Sequence, residues 1–207
     1  MGFLRSLFGP SKGEIWGQIA KDIGGRFSEG GFFGTDVLKY KHNDWELHLD
    51  TFTRSSGSGQ HRSTTTYTRM RVPFVNKDNF YFEIYPEGIF SPLGKWFGMQ
   101  DVEIGDSFFD EKFIIKGNSD QRLKELFADS EIKRLIHGQP QIYLKVKDDE
   151  GWFGSSFPEG VDELYFEARG VIKDTAILKD LFELFARILD HLVAIDSAYE
   201  TPANVRL

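Results

Sequence analysis

No cysteine occurs among the 207 residues. That absence excludes a disulfide framework, thiol redox chemistry and thiolate metal sites, and makes a cytoplasmic setting the expectation. Also missing is any run near the roughly 18 to 20 consecutive apolar residues that span a bilayer, or the apolar stretch of a secretion signal. There is no Gly-x-Ser-x-Gly elbow, and no Lys-Ser/Thr pair follows Gly30, Gly31 and Gly34. Neither a serine hydrolase elbow nor a phosphate-binding loop is therefore expected. The most informative absence is one of acid. Between Asp50 and Asp78 no Asp or Glu occurs, whereas Arg54, Arg62, Arg69, Arg71 and Lys77 do, in a chain whose net charge is −7. A positive segment in a negative molecule is a candidate contact for an anionic group.

What the chain does have is rings: 20 Phe, 7 Tyr and 4 Trp. Large flat side chains suit the faces of a sheet. The length suits one α+β domain over residues 13–200, after a flexible or amphipathic N-terminus at 1–12. The alternative division is two lobes, 13–100 and 101–200. Ile15, Trp16, Ile19, Ala20, Ile23 and Phe27 recur at helical spacing. Alternation predicts strands over Asp36–Lys41, Trp45–Arg54, Arg62–Phe74 and Phe80–Tyr85, with connectors short enough to require antiparallel pairing. Further strands are predicted at Phe113–Lys116, Gln141–Lys147 and Asp162–Ile172. Helices are expected after Asn118 or Ser119 and at about Glu131–Ile136. A long final helix should be capped by Asp174 and carry a broad apolar stripe from Leu178 to Ile195. The expected fold is an antiparallel sheet of about seven strands packed by this C-terminal helix. That element order resembles the pleckstrin-homology-like superfold with inserted helices, a resemblance of fold that carries no function with it.

Alternation also suggests a register. Setting Trp45 opposite Val72 and Leu47 opposite Met70 puts the apolar sets on one side, and places Glu46 across from Arg71 and His48 across from Arg69 on a wet outer face.

The leading functional expectation is a non-enzymatic binding or interaction domain that recognises an anionic ligand or acidic partner through its basic β-hairpin. The Ser- and Gly-rich tip from Ser55 to Arg62 is rich in donors, and Arg54, His61, Arg62, Arg69 and Arg71 are its candidate ligand-binding residues. Nucleic acid is not expected, because basic and aromatic residues interleave too thinly and the net charge opposes it. A second surface, for a protein partner, is expected at Trp152, Phe153 and Phe157, rings set among glycines and before Pro158. The alternative readings are a metal-dependent hydrolase around His48 and Asp50, set against a solvated sheet face for the same residues, and weak peripheral membrane contact through Phe3, Leu4, Leu7 and Phe8. No catalytic residue, metal ligand, cofactor or oligomeric state is assigned from sequence.

The stretch Phe97-Gly98-Met99-Gln100-Asp101-Val102-Glu103-Ile104-Gly105-Asp106, followed by Phe113-Ile114-Ile115-Lys116-Gly117-Asn118, resembles a pattern in uncharacterised bacterial proteins of unknown function. The resemblance covers about a tenth of the chain. It implies a bacterial cytoplasmic origin and offers no activity or site residue to carry over.

Overall fold

The computed structural model describes residues 9–31, 34–58, 62–88, 100–148, 157–205 and 207. Helix α1 (Lys12–Ile23) starts where Ser11 and Glu14 form a reciprocal capping box and stops at Gly24, whose φ of 75° is left-handed. Gly25 then passes so near Lys39 that a Cβ would sit 2.6 Å from its carbonyl oxygen. Strands β1 (Arg26–Ser28), β2 (Val37–His42), β3 (Trp45–Ser56), β4 (Ser63–Asn76), β5 (Phe82–Pro86) and β6 (Gln100–Asp101) follow. After them come α2 (Ser107–Asp110), β7 (Phe113–Gly117), α3 (Asp120–Leu126), α4 (Ser130–Gly138), β8 (Tyr143–Lys147), β9 (Val161–Arg169), α5 (Thr175–Ala194) and β10 (Ala198–Tyr199).

The chain is α+β, with a large antiparallel sheet and a long C-terminal helix, as the sequence pattern predicts. The described residues form a ten-stranded sheet rather than one of about seven. The additional strands are β1, β6 and β10, pieces of two or three residues too short to show any period. The sheet runs β1-β2-β3-β4-β9-β8-β5-β7-β6, with β10 on β4, so strands from before and after residue 100 alternate within it. No helix among the described residues is long and apolar enough to cross a membrane.

One face of the sheet carries Leu38, Leu47, Leu49, Met70, Phe166 and their neighbours into a single core with Trp16 of α1 and the apolar stripe of α5. Asp174 starts α5 by accepting from the backbone N–H groups of Ala176 and Ile177. Tyr40 meets Phe182 edge-on at 5.7 Å, and the Trp16 indole donates to the carbonyl of Ile172 at 3.0 Å.

Two expectations about β3 and β4 are corrected. The register is displaced by two residues: His48 lies opposite Arg71, Leu49 opposite Met70 and Asp50 opposite Arg69. A slip of two leaves every side chain on its own face, so apolar alternation cannot distinguish the two alignments. The observed one gives Arg69 the carboxylate of Asp50 in place of the imidazole of His48. The outer face is also drier than expected, because Asp50 is 4% exposed and Arg71 9%.

Candidate functional site

Alternation along each strand sends a second set of side chains away from the helical layer. The registers align this set in rows across the sheet. One row runs from His48 through Arg71, Tyr165 and Lys145 to Glu83; the next runs from Asp50 through Arg69 and Glu167 to Tyr143. Two apolar-in strands have therefore become, on their other side, a surface of charges and phenols.

These charges are largely matched. Arg69 donates from Nε and Nη2 to the two oxygens of Asp50, both at 2.8 Å, and Arg71 donates to Asp50 Oδ2 at 2.7 Å. Arg54 clasps Glu167 at 2.6 and 2.7 Å, and the Tyr165 hydroxyl donates to the same carboxylate at 2.6 Å. Lys147 meets Glu163, which is 0% exposed, at 2.8 Å. Phe52 and Tyr67 stack with centroids 5.3 Å apart, and the Arg54 guanidinium lies 5.0 Å and 4.9 Å from the two rings. Flat cations against ring faces retain attraction where water is scarce.

Lys145 differs. It is 9% exposed, with its ammonium 5.3 Å from the Tyr143 ring and 5.6 Å from the Tyr165 ring. Among the described residues no carboxylate lies within ion-pair distance of it. Burial, and then the positive charge of Lys147, push its pKa down to about 8, partly opposed by Glu83 and Glu167. Burial also raises the Tyr165 phenol, reinforced by the charge of Glu167 beside it. Tyr85, Tyr143 and Tyr165 form a small buried cluster of their own, joined by Ile114.

At the other end of the row, His48 Nε2 is 2.8 Å from Glu46 Oε1. Burial holds the imidazole below its ordinary pKa, helped by Lys39 and opposed by Glu46. In the neutral ring Nε2 then carries the proton and donates to Glu46. Asp50, which the sequence paired with His48 for a metal, directs both oxygens to Arg69 and Arg71. No group of three or more metal-ligating side chains occurs among the described residues. A cleft of about 430 Å³ opens beside His48, between Lys39, Glu46 and Pro73 on one side and the segment Pro202–Val205 on the other.

The basic residues singled out from sequence fall into two groups. Arg69 and Arg71 are half-buried and buried, and are held by Asp50. Arg54 and Arg62 sit on a two-stranded ribbon that outruns its neighbours. The last residue of β3 paired to β2 is Leu49, and β9 ends opposite Tyr67, yet β3 and β4 stay paired as far as Ser56 and Ser63. Arg54–Ser58 and Arg62–Thr64 are exposed, and the contact of Arg62 with the Ser55 hydroxyl is long, at 3.3 Å. Phe157 is half-buried. His61, Trp152, Phe153, Phe3, Leu4, Leu7 and Phe8 lie outside the described residues.

Sequence reasoning did not single out Lys145, Glu167, Tyr143 or Tyr165. The signal present was the alternation of charged and phenolic residues through Tyr143-Lys145-Lys147 and Glu163-Tyr165-Glu167, in strands whose intervening residues are apolar. Which strands they would face was not readable.

Neither a family model nor a curated protein matches the chain. Among solved structures, the crystal structure of the mycobacterial trehalose monomycolate transport factor A, TtfA, is similar, with a TM-score of 0.52 and 10% identity over 94% of this chain and 98% of that one. At that identity the similarity is one of fold.

Proposed function

We propose that the protein is a non-enzymatic binding protein, with an accessory role in transport, that engages an anionic ligand or acidic partner at the β3–β4 ribbon. The observation that carries this reading is the projecting, acid-free ribbon, which presents Arg62 ahead of the sheet, with Arg54, 47% exposed and clasped to Glu167, at its base. In a molecule of net charge −7, an acidic surface would be steered to this end and repelled elsewhere. Arg69 and Arg71 act behind it as a brace, because their bonds to Asp50 tie β4 to β3 where the ribbon leaves the sheet. The neighbour of similar fold is described as a transport factor, which supports a binding role over a catalytic one.

The test uses vesicles containing about 30% phosphatidylglycerol and, separately, a polyglutamate peptide, at low and high salt. Each cation near an anionic surface is worth about 1 kcal/mol, so Arg62→Glu combined with Arg54→Gln should weaken salt-sensitive binding roughly tenfold to a hundredfold. Unchanged binding of both probes by the double variant would remove the ribbon as the contact. Binding of the peptide alone would assign an acidic protein partner rather than a lipid surface.

A further inference from the structure

We infer that Lys145 anchors a separate anion site on the inner part of the sheet: an ammonium set between two phenol rings that takes a singly charged oxyanion, a carboxylate or a phosphodiester. The inference centres on Lys145, which is no part of the ribbon, and does not rest on the ribbon reading, although Arg54 acts on both places. Its first support is the arrangement of charge. Around Lys145 this face carries Arg54, Arg69, Arg71 and Lys147 together with Asp50, Glu83, Glu163 and Glu167. Arg54, Arg69, Arg71 and Lys147 each hold a carboxylate at 2.6 to 2.8 Å, Arg69 and Arg71 sharing Asp50, whereas Glu83, opposite Lys145 on β5, acts on its ammonium from beyond ion-pair distance. A charge taken out of water is costly unless an opposite charge meets it. Lys145 is nine-tenths buried and, among the described residues, has aromatic rings as neighbours but no acid at bonding distance.

The second support is the chemistry of the surroundings. Tyr143 and Tyr165 flank the ammonium, and Tyr85 lies 6.3 Å from Tyr143. Rings shield the charge without neutralising it, which leaves its donors for an incoming acceptor. A doubly charged group would need a second free cation, and the nearest candidate, Lys147, is held by Glu163. A single negative charge fits. The groups facing Lys145 are Tyr143 and Lys147 on its own strand, Glu163, Tyr165 and Glu167 on β9, Glu83 on β5, Arg71 on β4 and Arg54 on β3. Burial, and then the positive charge of Lys147, depresses the ammonium pKa to about 8 against the opposing pull of Glu83 and Glu167; a bound anion would raise it again.

The experiment is a lysine-resolved NMR titration of the full chain in chloride, then with acetate or dimethyl phosphate at matched ionic strength. Lys145 is assigned by its loss in Lys145→Arg. In chloride its resonance should titrate near pH 8, and a binding anion should move that midpoint upward. Affinity for the anion should fall about tenfold per pH unit above the free midpoint, because the deprotonated amine carries no charge. Lys145→Met should abolish binding, and Lys145→Arg should retain it. Should the methionine variant fail to fold, the titration of the unaltered chain still decides. A Lys145 midpoint indifferent to both anions up to about 100 mM, or anion binding that survives in Lys145→Met, would overturn the inference. A response to acetate alone or dimethyl phosphate alone supports it and names the source. Arg62→Glu should leave the Lys145 response intact even if the ribbon reading fails; loss of the response in that variant overturns a separate site.

Discussion

The two faces of the sheet are held by different forces. On the helical side Leu47, Leu49, Met70 and Phe166 are covered by aliphatic and aromatic contacts in one continuous core. On the other side Asp50, Arg71, Glu163 and Glu167 are covered as well, each tied to a side chain of opposite sign across a strand boundary. Apolar burial is non-directional and scales with area, so its loss is graded. A buried ion pair depends on geometry, and removing one member leaves the other charged and dry. The contrast explains why an anion site belongs on the second face, where one cation without a carboxylate at bonding distance stands out.

That contrast can be broken most directly from the apolar side. Phe166→Ala, fully within the core, should cost about 4 kcal/mol in urea unfolding; a loss below about 1 kcal/mol would mean that α5 does not seal that face. Next is Asp50→Ala, which removes the carboxylate that Arg69 and Arg71 share. We expect about 3 kcal/mol from the same measurement, and a negligible loss would show that water already supports these charges. Glu167→Gln is a milder change, because Arg54 is half-exposed and Tyr165 retains an acceptor; about 1 kcal/mol is expected.

A smaller effect comes from pH. The pKa of His48 lies below its ordinary 6.5 because the ring is buried. As the pH drops below 6.5, the unfolded chain takes up a proton at this position that the folded chain refuses. Stability contributed by the neutral ring is therefore full above 6.5 and declines with acid until the folded pKa is reached, at no more than about 1.4 kcal/mol per pH unit. Unfolding of His48→Gln, compared with the unaltered chain between about pH 7 and about pH 5, should lack this component. The least effect should come from Arg62→Glu, within about 0.5 kcal/mol, since its side chain is exposed at the ribbon tip. A larger loss would tie the tip to the folded body.

Much of this architecture could be read from local pattern. Asp174 caps α5 as expected, the apolar positions from Leu178 onward line its buried stripe, and β2, β3 and β4 lie where alternation placed them. The ribbon was legible too, from the acid-free run between Asp50 and Asp78. Its arginines were not distinguishable from one another: whether Arg54 points at Glu167 or at solvent depends on a strand more than a hundred residues away. The same distance hid Lys145. Its isolation follows from β8 pairing with β5 and β9, and from Glu163 being taken by Lys147.

By itself, the order of residues determined which side of each strand is apolar and where helices begin and end, because these follow from periods of two and 3.6 and from caps within a few positions. Which charge meets which was decided only in the folded molecule. A shift of two residues between β3 and β4 changes their ionic pairing without turning any side chain over, and one neighbour of β9, the strand β4, comes from a distant part of the chain. Local pattern carries no record of either choice, since both are settled by contacts that exist only once the sheet is assembled.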